Sequence, residues 1–232
     1  MTPFRSRPSE PSEHDWLRLA ADVARLCGRA EAQVADAVRV VTGRDVGLAH
    51  AVVARDAGID ALQREIDRNA VALLTAGQPL ALDVRRAIGA VKLATSLERV
   101  GDLCRNIAKR GLVLAEHDPL PGPLRSVNRM GALVAARTRE VLDAYVQRDL
   151  ERAMTVWRGD AEIDEHYNSA VRELLATMAA NGDAVPPAAQ LLLVIKNLER
   201  IGDHMTGVAE LAHFEIVGEE PTAPRPMAVY AL

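Results

Sequence analysis

Leu97-Glu98-Arg99-Val100-Gly101-Asp102 recurs further along the chain as Leu198-Glu199-Arg200-Ile201-Gly202-Asp203. The likeness extends beyond the hexapeptide. At the same offset the apolar series Ala90, Leu93, Leu97, Val100, Cys104, Ile107 is matched by Leu191, Val194, Leu198, Ile201, Met205, Val208. Both series advance by threes and fours, so each marks one buried face of a helix. Upstream, Asp56-Ala57-Gly58-Ile59-Asp60 is echoed by Asp160-Ala161-Glu162-Ile163-Asp164. Two halves built to one plan are the simplest account.

Glycine and proline punctuation divides the chain into six helical stretches, at 14–42, 46–75, 80–116, 122–148, 150–180 and 187–216. Gly43 ends the first, and Ala76-Gly77-Gln78-Pro79 supplies a stop followed by a proline suited to opening the next helix. Asp118-Pro119 and Pro121-Gly122-Pro123 break the middle of the chain, and Asn181-Gly182 with Pro186-Pro187 precede the last helix. Each half then reads as a helix, a helix with DxxxD and a helix with ExxxD. The expected fold is all-α: two tandem, pseudo-symmetric three-helix bundles at 14–118 and 119–217, with flexible segments at 1–13 and 218–232.

Residues four apart are neighbours on one helix face, so Asp56 with Asp60, Glu98 with Asp102, Asp160 with Asp164 and Glu199 with Asp203 form four acid pairs. Like charges at this spacing cost roughly 0.2–0.5 kcal/mol per pair in an isolated helix. A bound cation offsets that cost. Asp60, Glu98, Asp164 and Glu199 each follow a core position by one residue, about 100° around the helix, which places the acids on the rim between helices. Clustered carboxylates suit hard cations such as Mg²⁺, Mn²⁺ or Ca²⁺, and bridging carboxylates serve iron. The plain alternative is solvated charge, with local pairs from Asp60 to Arg64, Asp102 to Arg105 and Lys196 to Glu199. Recurrence at four matching places is what argues against it.

Gly101 and Gly202 sit inside helices, where glycine costs roughly 1 kcal/mol relative to alanine, and so mark a close approach by a neighbouring helix. His204 points about 100° away from Asp203, and Arg99 and Arg200 either orient carboxylates, meet an acidic partner or are simply solvated. Cys104 lies on the apolar stripe, Cys27 has no activating partner, and the two show no zinc-ligand spacing.

With 49% hydrophobic and only 3% aromatic residues, the composition favours helix over sheet. A net charge of −4 with mixed signs offers no broad basic surface for nucleic acid. Apolar runs such as Leu191 to Ile195 are far short of the ~20 residues of a spanning helix, and the first 13 residues do not read as a signal peptide. No phosphate-binding glycine loop, nucleophile elbow or HExxH motif is present.

The twice-repeated helical LER[VI]GD segment, with Gln78-Pro79-Leu80-Ala81-Leu82-Asp83-Val84-Arg85, resembles the signature of the PhoU family of phosphate-transport accessory proteins over about Leu17 to Phe214. The resemblance implies paired three-helix bundles, homodimerisation, and metal ions (iron, manganese, magnesium or zinc) held by Asp56, Asp60, Glu98 and Asp102 in one half and by Asp160, Asp164, Glu199 and Asp203 in the other. Asn106 matches the family where the second half has Gly207, so the two sites are expected to differ.

The resemblance further implies a cytoplasmic, non-enzymatic regulator, docked at the inner face of the membrane through its partners without insertion. Those partners are the ATPase subunit of the phosphate ABC transporter and a phosphate-sensing histidine kinase, with no direct nucleic-acid contact. A carboxylate-bridged metal oxidase or metal-storage protein is the alternative, opposed by the absence of the paired ExxH motifs of di-iron bundles, Glu210 to His213 being alone at that spacing. A helical adaptor without metal is the third reading.

Overall fold

The computed structural model describes residues 12–76, 80–223 and 225, which form helices and no strands. Of the expected flexible segments at 1–13 and 218–232, residues 1–11, 224 and 226–232 lie outside the described residues, as does the Gly77-Gln78-Pro79 stop, while Ser12 caps and Glu13 opens α1. Helix α1 spans Glu13–Gly43, α2 Val46–Thr75, α3 Ala81–Ala115, α4 Pro121–Gln147, α5 Leu150–Arg158, α6 Asp160–Ala180 and α7 Val185–Val217, with a 3-10 turn at Gly182–Ala184 before α7.

Local chemistry sets these ends. Ser12 and Asp15 form a reciprocal cap on α1, in which the Asp15 N–H donates to the Ser12 hydroxyl and the Ser12 N–H donates to the Asp15 carboxylate at 2.9 Å. The first corner is built from a left-handed Arg44 (φ 53°) followed by Asp45, whose carboxylate accepts from Leu48 N–H at 2.8 Å to start α2. The second half repeats that corner. Arg148 is again left-handed (φ 56°), and Asp149 caps α5 through Arg152 N–H at 3.0 Å.

The single helix expected over 150–180 is two, because the chain breaks at Gly159, which ends α5 and precedes α6. Glycine opposes helix continuation, and the Arg137 guanidinium occupies the space a Cβ would need, 2.7 Å from that position. In the first half Arg55 stands just before Asp56, as Gly159 stands before Asp160, and α2 runs on unbroken. The break therefore delivers Asp160 at a helix start.

Helix α3 packs on α1 and α2, while α7 packs on α4, α5 and α6. The halves are joined by α3 against α7 and α1 against α4, so that one continuous core runs through both. The matched stripes supply its centre, since Leu93, Leu97, Val100, Cys104 and Ile107 and their counterparts Val194, Leu198, Ile201, Met205 and Val208 are all buried. Helices α3 and α7 run antiparallel. Lys92 lies over the Phe214 ring at 5.4 Å, Ser96 meets His204 at 3.2 Å, and Arg110 donates to Gln190 at 2.9 Å.

Two helix glycines separate propensity from packing. Gly28 is exposed with nothing near its missing Cβ, so Gly28→Ala should raise stability by about 0.5–1 kcal/mol. A Cβ at Gly111 would overlap the Cγ1 methyl of fully buried Val40, whose β-branched side chain has little rotamer freedom. Overpacking of roughly 1–3 kcal/mol then exceeds the propensity gain, so Gly111→Ala should lower stability. Chemical denaturation of both variants checks this, and shifts of the same sign would show that the α1–α3 contact is misread.

Candidate functional site

The first acid cluster lies on the seam between α2, which carries Asp56 and Asp60, and α3, which carries Glu98 and Asp102. Gly101 lets the helices approach, because its missing Cβ would stand 3.1 Å from Asp56 Oδ1 and 3.2 Å from Ile59 Cδ1. Arg105, one turn beyond Asp102, places its guanidinium between the helices, pairing with Asp56 Oδ2 and with Asp102 at 2.6 Å. Asp56 is only 3% exposed, and its Oδ1 has no hydrogen-bond partner.

The electrostatics show that these four acids share one field. Burial pushes the Asp56 carboxyl above its ordinary range against the pull of Arg105, with Asp60 and Asp102 adding to the rise. Glu98 is likewise raised, first by burial and then by Asp102. The cluster is short of positive charge.

In the second cluster α6 contributes Asp160 and Asp164, and α7 contributes Glu199 and Asp203. Gly202 again admits its neighbour, with a Cβ there falling 2.8 Å from Ile163 Cδ1. The counter-charges differ. Position 206, the repeat counterpart of Arg105, is Thr206, whose hydroxyl donates to Asp160 Oδ1 at 2.6 Å. The guanidinium comes instead from Arg225, beyond the last helix, which donates from Nε to Asp160 Oδ2 at 2.8 Å and reaches Asp203 Oδ1 at 2.6 Å. Lys196 contacts both Glu199 oxygens, at 2.8 and 2.7 Å.

The rim placement holds for only part of the set. Asp60, Glu98 and Asp102 are half-buried and Asp203 is exposed, but Asp56, Asp160, Asp164 and Glu199 are buried. Asp56 and Asp160 lie on the apolar stripes themselves, three residues before Ile59 and Ile163, whereas Asp164 and Glu199 flank theirs and are covered where Gly202 lets α6 and α7 approach. Of the local pairs expected, Asp102–Arg105 and Lys196–Glu199 form. His204 turns away from the acids toward Ser96 of α3, and Cys27 and Cys104 are buried thiols.

Among the described residues no three His, Cys, Asp or Glu side chains stand ready to hold one ion, because guanidinium groups lie between the carboxylates. The donor set still suits a hard cation. The orphaned Asp56 oxygen is a buried acceptor lacking a donor, and Arg105 is long and part-exposed, so it can turn outward and vacate the seam. Arg225 and Thr206 were not foreseen from sequence. A replaced arginine within the repeat was the available signal for Thr206; the irregular tail offered none for Arg225.

A second polar feature lies at the other end of the α3–α7 seam. Tyr145 donates its hydroxyl to Glu215, which is buried in the space left by Gly89 and borders a cavity of about 440 Å³ lined by Trp16, Leu19, Val23 and Arg86. Burial raises the Glu215 carboxyl, against the Tyr145 hydrogen bond and the charges of Arg148 and Arg86.

Comparison with known proteins places this geometry. The PhoU domain family matches residues 23–111 and 127–212, once in each half. The chain is 51% identical over 212 residues to a phosphate-specific transport system accessory protein PhoU homolog of Caulobacter vibrioides, covering 91% of this chain and 92% of that one. It is 37% identical over 209 residues to the homolog of Rhizobium meliloti, covering 90% and 88%. The crystal structure of PhoU from Pseudomonas aeruginosa superposes with a TM-score of 0.85 at 32% identity, over 89% of this chain and 99% of that one.

Two substitutions test the polar geometry. Thr206→Val keeps the shape but removes the donor to buried Asp160, and should cost about 1–3 kcal/mol in chemical denaturation. No loss would mean that Arg225 alone satisfies that carboxylate. For Glu215, a folded-state pKa raised above the unfolded value means that the folded chain favours the protonated form. The resulting penalty is absent below the unfolded value, grows as pH rises between the two values and is complete above the folded one. Glu215→Gln should therefore melt higher than the parent at pH 7, with the gap closing as pH falls into the ordinary carboxylate range; a gap independent of pH would exclude this cause.

Proposed function

The chain belongs to the PhoU family, and from that premise we propose that it restrains high-affinity phosphate uptake and phosphate-starvation signalling. It acts from the cytoplasm by protein contact with the ATPase subunit of the phosphate ABC transporter and with the phosphate-sensing histidine kinase, as a homodimer and without turnover of a substrate. The observation that carries this reading is the match of the family to both halves of the chain, joined to relatives named as accessory proteins of phosphate transport along almost their full length. Among the described residues no helix is long and apolar enough to cross a membrane, so an accessory role at a transporter calls for docking.

The two carboxylate clusters serve this role as metal sites, with Asp56, Asp60, Glu98 and Asp102 holding one ion or cluster and Asp160, Asp164, Glu199 and Asp203 the other. A hard divalent or ferric cation would supply the positive charge that the seams lack. The residues themselves set the helix spacing through Gly101 and Gly202 and hold the acids in register. The arginines offset part of the clusters' charge when no ion is bound.

Replacing Glu98 and Asp102 together with Ala should remove about half the metal bound by the purified protein and leave the fold cooperative, because neither side chain belongs to the apolar core. Elemental analysis with a thermal melt decides it, and unchanged metal content would sink the site assignment. In cells, deleting the gene should leave phosphate-starvation genes active in phosphate-rich medium, and restoring the chain should silence them. Normal repression in the deletion strain, with no second copy compensating, would defeat the signalling reading.

A further inference from the structure

The two clusters share a plan, yet the cation that bridges each comes from a different place. In the first, Arg105 lies on the same helix as Asp102, so its guanidinium joins Asp56 to Asp102 from a fixed base. In the second, the matching position is Thr206, which can donate to Asp160 but brings no charge. Arg225 makes the equivalent bridge, with two hydrogen bonds to Asp160 and one to Asp203. Paired donation of this kind is the strong form of arginine–carboxylate contact.

Arg225 reaches the cluster because the chain reverses after α7. Gly218 takes a positive φ of 99°, and its N–H closes on the Phe214 carbonyl at 2.9 Å. The His213 ring then donates to the Glu219 carbonyl at 2.7 Å, which turns the segment back along α7. Residues 219–223 have no helix of their own and bridge a cleft of about 320 Å³ whose floor includes Lys92, Trp157, Leu211 and Phe214. The segment is thus pinned at two points, one at its root and one in the cluster.

We propose that the C-terminal segment is a latch in which Arg225 acts as a tethered cation, occupying the second carboxylate cluster in competition with a free metal ion. The proposal rests on the reading of the clusters as metal sites and gives the two sites unequal roles. Admitting an ion to the first requires only that one side chain swing outward. Admitting an ion to the second displaces the segment and uncovers the cleft beneath it, so occupancy there is reported at the surface. The ordinary counterpart of Arg105 is missing where the tail supplies the substitute, which ties the two differences together.

The test uses the full chain. Ala223 is exposed and both native cysteines are buried, so Ala223→Cys carries a fluorescent dye selectively. Without metal, the anisotropy of that dye should fall on adding Arg225→Ala, and equally on adding Asp160→Asn with Asp203→Asn. On unlabelled protein, calorimetric titration with Mn²⁺ in the background lacking Glu98 and Asp102 isolates the second site. There Arg225→Ala should tighten Mn²⁺ binding about tenfold, with Arg225→Lys between the two. Anisotropy unchanged by Arg225→Ala, or Mn²⁺ binding identical with and without it, overturns the latch. Absence of Mn²⁺ uptake by the parent and every variant overturns the metal reading, and competition with it, whatever the anisotropy shows.

Discussion

Carboxylates that face one another across a helix seam must be accompanied by positive charge, since burying an anion without a partner costs several kcal/mol. That constraint organises this molecule twice. Gly101 and Gly202 draw the helices close, which seals the apolar stripes but also covers Asp56, Asp160 and Glu199. Once covered, each acid needs a cation, and Arg105, Lys196 and Arg225 stand where the need arises. Tight packing and charge balance are one problem here, solved at the same two glycines.

The seam also explains why acids are retained at all. A helix pair of this length could be stabilised by apolar residues alone, and replacing buried charge with well-packed hydrophobes is often neutral or favourable. On the proposal that the clusters take metal ions, acids whose partners are flexible arginines leave the seam able to exchange one cation for another. The contact-acting regulator proposed above needs two surface states of similar energy, and exchangeable counter-charge is a chemical means to them.

Much of the architecture was legible because helix periodicity and duplication are both encoded locally. The stripe from Leu93 to Ile107 and its repeat defined the core, and Asp45 and Asp149 cap equivalent helices as their chemistry allows. Exposure was harder to read. Glu199 follows the core position Leu198 by one residue and so flanks the stripe of α7, yet α6, brought close at Gly202, buries it. The place of Arg225 depends on a reversal at Gly218 followed by irregular chain. Each of these is a long-range effect, to which a pattern of period 3.6 carries no information.

The antiparallel pairing of α3 with α7 has a consequence for how the two halves can diverge. In a symmetric dimer of identical subunits every contact occurs twice, related by the dyad. Here an equivalent self-facing interface lies inside one chain, and its two ends are free to differ. Lys92 meets Phe214 at one end, whereas their counterparts at the other are Leu193 and Val113; Glu215 fills the space beside Gly89, whereas their counterparts are Leu114 and Gln190, the latter paired to Arg110. Two like halves in one chain replace a dyad with a polarity: the molecule has a distinguishable left and right, and a single binding partner can recognise one without encountering its mirror in the other.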